Sequence, residues 1–421
     1  MVAGLAAGMA GTALGAPADL NPRGCIATGG LRDCATAGSG SLRGADALAL
    51  SPDGRNLYAS AYGSDSVFSF RRTGTGRLSF QGCVGNEGSG GCVDPPGDSL
   101  GGAGGIAVSP GGGDVYVASG LGRSVTRLSR SGSGALVFGS CTANAGAGGC
   151  LDPASDALVG ASAIAVAPGG EDVYVTSFDG GAVSHLRRGA DGSVPLSDCV
   201  ADDGNFGCAA TPGSLLEGAA AVVVDPAGRD VYVASLASGS LARFRRGPSG
   251  RLSYRGCWAD EGANGCRKLP VDALSGATGM AMSSDGRSIV VASQVGLVSS
   301  FARSPKTGSV KFVSCVGRDG LGGCAKTERD SLGQATGIAL SGRDVYVASQ
   351  RSDSITHLAL DGRGRLSFSS CIAAGRANGC SGGGSLASLD GAYAVATTGR
   401  GLYVAAPTPG SVTALELRSS R

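Results

Sequence analysis

Cysteine spacing constrains this chain more tightly than any other feature. Its 14 cysteines form seven pairs of one internal spacing, with eight residues between partners: Cys25/Cys34, Cys83/Cys92, Cys141/Cys150, Cys199/Cys208, Cys257/Cys266, Cys315/Cys324 and Cys371/Cys380. Successive pairs lie 58 residues apart, except for a last step of 56. That shortfall is local, because Gly337–Asp344 lacks two turn residues present in Gly279–Ser288. A fixed period of this kind marks a repeat architecture, in which each unit cannot bury its apolar face alone and stacks on its neighbours. Zinc sites want ligand spacings of about two to four residues and often His, whereas eight residues intervene here and the chain has only 2 His. The even count and constant spacing predict structural disulfides, each closing a short loop.

Between the cysteine pairs each unit reads as four short strands. In the second unit these are Gly105–Ser109, Asp114–Ser119, Ser124–Leu128 and Ala135–Phe138. Turns such as Ser51-Pro-Asp-Gly54, Ala167-Pro-Gly-Gly170 and Asp225-Pro-Ala-Gly228 put Pro and Gly where a tight hairpin needs a fixed φ and a positive one. Seven such units predict an all-β, seven-bladed β-propeller with four-stranded antiparallel blades. First strands, crowded around the axis, are built from small and aliphatic residues: Ala47–Leu50, Ala163–Val166, Ala221–Val224 and Gly279–Met282. Second strands carry Tyr58, Tyr116, Tyr174, Tyr232, Tyr346 and Tyr403 at one repeat position, with Val290 in the fifth unit. A ring of Tyr reads as blade-to-blade packing, each hydroxyl reaching a partner or solvent. The last unit ends after three strands, at Ser411–Leu417, while Pro22–Thr28 stands before the first complete blade. The N-terminal segment is therefore expected to supply the missing strand and close the ring, burying edges that invite aggregation.

High glycine content (76 residues) could signal disorder, but β-branched runs recur and the formal net charge is only +2, which favours many strands joined by tight turns. That balance gives no electrostatic reason to expect nucleic acid or an anionic membrane. Met1–Ala18 is uncharged and ends in Ala16-Pro17-Ala18, a small-x-small pattern, so residues 1–18 are read as an export signal and 19–421 as one propeller. The basic start of such signals is missing, and a plain Ala/Gly tail is the alternative reading. No other stretch is long and apolar enough to span a bilayer, so a secreted, soluble monomer is expected.

Units such as Ser51-Pro-Asp-Gly-Arg-Asn-Leu-Tyr58 followed by Ser64–Phe70, with Asp-Val-Tyr-Val-Ala-Ser at 114–119, 230–235 and 344–349, resemble the YVTN-type, lactonase-like seven-bladed propellers. The resemblance covers nearly the whole mature chain. It implies the architecture, and hydrolysis of sugar lactones such as 6-phosphogluconolactone as an activity found among relatives. The cysteine pair in each unit departs from the ordinary lactonase pattern, and no lactonase catalytic residue maps onto a position of this chain.

Chemistry-bearing residues are few. His185 and His357 share one third-strand position, where other units have Ser69, Arg127, Arg243, Ser300 and Ala414; so varied a position reads as blade surface and not as a catalytic site. Asp98, Asp156, Asp272 and Asp330 recur at one offset between the second cysteine and the next inner strand. Two readings apply: a partial acidic ring binding Ca²⁺ or a cationic or sugar ligand, or Asp residues capping turns. Glu87, Asp202/Asp203, Asp260/Glu261 and Asp319 lie in the disulfide loops and read as solvated turns, while Trp258 and Phe206 are loop aromatics that could join a contact patch. The Gly101–Gly105 run lacks the helix and Gly-Lys-Ser/Thr of a phosphate cradle and reads as turn glycine. Among inner-strand residues only Asp46 is charged, with Tyr393, Thr278 and Thr336 adding modest polarity. The main functional expectation is a non-catalytic scaffold binding a protein or glycan; the alternative is a lactonase-like hydrolase, and a third reading is a structural protein of an envelope or matrix.

Overall fold

The computed structural model describes residues 20–417 except 39, 328 and 376–378; the expected export signal lies outside the described residues. Seven sheets form around an axis. Their innermost strands are Ala45–Leu50, Ala103–Val108, Ala161–Val166, Ala219–Val224, Ala277–Met282, Ala335–Ser341 and Ala394–Thr398, taken here as the first strands of blades 1 to 7. Closure follows the expected route: Leu20–Ala27 pairs antiparallel with Ser411–Leu417, from Leu20 opposite Leu417 to Ala27 opposite Ser411.

All seven expected cysteine pairs are joined as disulfides: Cys25–Cys34, Cys83–Cys92, Cys141–Cys150, Cys199–Cys208, Cys257–Cys266, Cys315–Cys324 and Cys371–Cys380, with Cα atoms 4.6 to 5.0 Å apart. Each closes a short loop as expected and does more, because the second cysteine of each pair heads a returning segment. The amides of Cys92, Cys208, Cys266 and Cys324 donate to carbonyls three residues earlier, those of Ser89, Asn205, Ala263 and Leu321, at 3.3, 3.1, 3.0 and 3.2 Å. This tight turn reverses the chain, and each of these four cysteines then takes up extended backbone. Cys380 stands directly before the short strand Ser381–Gly383.

The four-stranded expectation is corrected for the same reason: five of the seven sheets have five strands. The segment after the second cysteine runs parallel to the fourth strand, offset by nine residues. Cys25 lies opposite Cys34, Val200 opposite Ala209 and Val316 opposite Ala325. Each disulfide therefore staples two neighbouring segments in register. In blades 1 and 2 the pairing shrinks to single bridges, Val84 with Val93 and Thr142 with Leu151. A proline explains the difference. Three residues past the second cysteine, the amides of Ala37, Leu269 and Thr327 donate to Ala27, Ala259 and Gly317 carbonyls at 3.1, 3.0 and 3.1 Å; blades 1 and 2 have Pro95 and Pro153 there, which have no N–H to give.

The blades lock to one another at the end of the disc where first and second strands turn. Tyr58, Tyr174 and Tyr403 donate their hydroxyls to the carbonyls of Gly134, Gly250 and Gly76 in the following blade, at 2.9, 2.6 and 3.0 Å. The same hydroxyls accept from arginines of that blade, as in Arg130 Nε to Tyr58 at 2.8 Å and Arg72 Nε to Tyr403 at 2.6 Å. Between blades 4 and 5 the latch includes a fully buried ion cluster, with Arg303 Nη2 at 2.8 Å from Asp225 and 2.9 Å from Asp230. The two histidines belong to this layer, which corrects their expected surface position. His185 is fully buried between Asp172 (2.9 Å) and Asp198 (3.0 Å) and stacks on Tyr174, while His357 is 2.8 Å from Asp344 and stacks on Tyr346. A third-strand site tolerates Ser, Arg and His because neighbouring carboxylates, hydroxyls and carbonyls give each a partner.

Candidate functional site: the axial cavity

The seven first strands enclose a cavity of about 780 Å³. Its wall is built in three tiers that follow from the repeat. The tier nearest the mouth takes the second residue of each repeat-aligned segment: Asp46, Gly104, Ser162, Ala220, Thr278, Thr336 and Tyr393. In the first six blades the ladder to the second strand skips this residue, as between Ala45 and Ala47 or Ala277 and Gly279. Such bulges re-aim a side chain and recur beside active sites. The next tier is all Ala or Gly, because blades touch there: a Cβ on Gly279 would sit 2.0 Å from the Thr336 carbonyl. Below it, Leu48, Ile106, Ile164, Val222, Met280, Ile338 and Val395 form an apolar tier. Tyr62, Leu121, Phe178, Leu236 and Gln294, from turns between second and third strands, line the mouth.

The polar tier is lopsided. Thr278, Thr336, Tyr393 and Asp46 occupy four consecutive blades, facing Gly104, Ser162 and Ala220. The hydroxyls of Ser162, Thr278 and Thr336 donate across to carbonyls of the next blade, at 2.9, 3.3 and 2.7 Å, so their protons are committed to holding blades together. The carboxyl of Asp46 and the phenol of Tyr393 remain as the titratable pair of the tier. Burial pushes Asp46 up to about 7, and burial together with the charge of Asp46 pushes Tyr393 up to about 12. Near neutral pH the site thus holds a carboxylate able to take a proton and a phenol that keeps its own. Among the described residues the cavity lining includes Asp46 and Asp179 and no Lys, Arg or His.

The four repeated aspartates are not gathered into one site. Asp98, Asp156, Asp272 and Asp330 are all exposed, each in its own linker. Their backbones make the turns: the Asp98 carbonyl accepts from Gly101 at 3.2 Å and that of Asp156 from Val159 at 3.2 Å, while Asp330 is 3.8 Å from Arg318. Asp98 and Asp156 line one smaller cavity of about 370 Å³, built from the loops of blade 2 and the linkers on either side of it. Among the described residues no group of three or more His, Cys, Asp or Glu is placed to hold a metal ion, so the residues present do not fit the Ca²⁺ ring that the repeat suggested.

Two of the loop acids are structural rather than solvated. Asp202 accepts from the Leu216 amide at 3.0 Å and Asp260 from the Leu274 amide at 2.8 Å; burial raises the pKa of both. Trp258 is buried too, with Arg267 set against its ring, so it does not belong to an exposed patch. Asp46 is the residue that sequence reasoning undervalued. Its signal was present as a lone carboxylate at a position otherwise held by Gly, Ser, Ala, Thr and Tyr.

Comparison with solved structures bears out the seven-bladed propeller fold. It is similar to the periplasmic gluconolactonase of Pseudomonas aeruginosa (TM-score 0.56, 20% identity, 80% of this chain and 86% of that one). It is likewise similar to a 6-phosphogluconolactonase candidate from Bacteroides uniformis (TM-score 0.51, 17% identity, 76% and 83%). The hydrazine synthase of Kuenenia stuttgartiensis matches comparably (TM-score 0.54, 16% identity, 92% and 99%), so the scaffold alone does not fix the chemistry. Scans against sequence families and curated proteins returned no match. No helix among the described residues is long and apolar enough to cross a membrane.

Proposed function

We propose that this propeller is a lactonase-like hydrolase whose substrate is an uncharged sugar lactone bound in the axial cavity. The observation that carries the reading is Asp46, a desolvated carboxyl raised to about 7 beside a protonated Tyr393 in a polar-topped, apolar-floored cavity. A general base works best with a pKa near the working pH, and a neutral phenol can donate to an oxygen that gains charge. In the proposed step the Asp46 carboxylate removes a proton from water as the water oxygen bonds to the lactone carbonyl carbon. Tyr393 donates a hydrogen bond to the carbonyl oxygen as it becomes negative. When the tetrahedral centre collapses, the ring C–O bond breaks and the departing oxygen takes the proton back from Asp46. The product is an open-chain hydroxy acid that releases one proton to bulk solvent.

The likeness to gluconolactonase folds supports the substrate class, and the lining chemistry narrows it. Two carboxylates with no opposing cation disfavour a phosphate dianion, so a phosphorylated lactone is a poor fit. The disulfides suit an oxidising, extracytoplasmic setting. The test is hydrolysis of glucono-1,5-lactone and of 6-phosphogluconolactone, corrected for spontaneous opening. Turnover of the first, little of the second, and a roughly 10²–10⁴-fold loss of rate in Asp46→Asn are expected. Turnover of neither lactone, or full activity in Asp46→Asn, would refute it.

A further inference from the structure

The smaller cavity at the loops of blade 2 adjoins the axial mouth at Leu121, and the repeat shows that something is missing there. At one position after the fourth strand, units 1 to 4 have Asn86, Asn144, Asp202 and Asp260. In three of them the side chain accepts from the amide of a leucine fourteen residues on: Leu100 at 3.1 Å, Leu216 at 3.0 Å and Leu274 at 2.8 Å. In blade 2 the corresponding bond is not made. Asn144 is only 6% exposed, yet neither its amide oxygen nor its amide nitrogen has a hydrogen-bond partner. The Ser99 hydroxyl, 2% exposed, is likewise unpartnered. Both residues line the 370 Å³ cavity. Leaving a buried amide unpaired is costly, and such groups in a folded protein call for a partner.

The linker that should carry the cap explains the gap. Blades 1, 3 and 4 have Pro96, Pro212 and Pro270 at one linker position, where blade 2 has Ala154. Ala154 adopts φ +53, a conformation closed to proline, and the chain there follows a different path past Asn144.

We propose that this cavity binds a neutral polyhydroxylated ligand, a saccharide unit, through Asp98, Asp156, Asn144 and Ser99. The residues around it include two exposed aspartates, which accept, Arg123, whose side chain donates, and an amide and a hydroxyl that do both. Sugar hydroxyls donate and accept from one atom, so they match such a mixed set. A bare cation would meet Arg123, and an anion would meet two aspartates. Leu121, 66% exposed, adds an apolar surface for a ring face, and the volume is within the range of about 300–1,000 Å³ of small-molecule pockets.

The test is saturation-transfer difference NMR of the full oxidised chain with glucose, N-acetylglucosamine and cellobiose. Transfer to at least one sugar is expected, with affinity falling at least tenfold in Asp98→Ala/Asp156→Ala, whose exposed side chains can go without changing the melting temperature. Asn144→Leu removes the unpaired amide at similar size and should hold or raise the melting temperature while also weakening binding tenfold. Asp46→Asn should leave the signal intact, which separates this site from the axial one. No transfer to any of the three sugars, transfer that survives both changes, or a Ca²⁺ binding heat that vanishes with the two aspartates would overturn the proposal.

Discussion

Replacing Asp46 with Asn should make the protein more stable at neutral pH, and the size of the gain follows from the site. Burial raises this carboxyl from 3.8 to about 7, so the folded state holds its proton more tightly than the unfolded chain does. Below about pH 4 the group is neutral in both states and contributes nothing. As pH rises from about 4 to 7 the unfolded chain gains by ionising while the folded one resists, and stability falls; above 7 the loss is complete. With 1.36 kcal/mol per pKa unit, the loss amounts to about 4 kcal/mol. Asn is nearly the shape of the protonated acid and does not ionise, so the variant escapes it. For a domain of this length an unfolding entropy of about 2.1 cal/mol/K per residue converts 4 kcal/mol into roughly 5 °C. Thermal melts followed by circular dichroism at pH 4 and pH 8 provide the assay. The variant should match wild type at pH 4 and melt about 5 °C higher at pH 8. Identical shifts between the two pH values in both proteins would show that Asp46 is not desolvated.

Other parts of the structure make separate predictions. Changing Cys141 and Cys150 to Ser together should cost roughly 3 kcal/mol by the loop-entropy relation for a ten-residue loop, read as a lower denaturant midpoint under oxidising conditions. Arg303→Met should cost about 3–5 kcal/mol, because it takes the charge partner from the buried Asp225 carboxylate and leaves Asp230 with Arg243; a thermal melt within about 1 °C of wild type would contradict the latch. Leu269→Pro removes the 3.0 Å bond to Ala259 and should cost about 1–3 kcal/mol, and the Leu269 amide in the unaltered protein should resist hydrogen exchange.

Much of the architecture was legible in the sequence, since period, strand pattern and terminal closure all follow from the 58-residue repeat and the alternation within each unit. The fifth strand was not, because a parallel return of two or three residues such as Arg267–Lys268 carries no periodicity of its own and shows only as register once the Cys257–Cys266 disulfide closes. The buried histidines were misread for a related reason: variability marks a surface only where nothing nearby can satisfy each residue, and here Asp172 and Asp198 satisfy His185. The four aspartates at one offset left a ring and a set of turn caps both open, and one residue per blade at the rim stays one residue per blade. The lone exception, Asp46, faces an axis that all seven blades share, so a single substitution there changes the whole cavity.

The measurement that bears most directly on the axial site is the pH dependence of proton release from glucono-1,5-lactone, followed in a pH-stat between about pH 5.5 and 8.5 against an enzyme-free blank. The account predicts a kcat/KM that rises with pH and levels off above about 7, the value to which burial moves Asp46, with the pH-dependent component absent in Asp46→Asn. A rate independent of pH across that range, or the same profile in the variant, would contradict it.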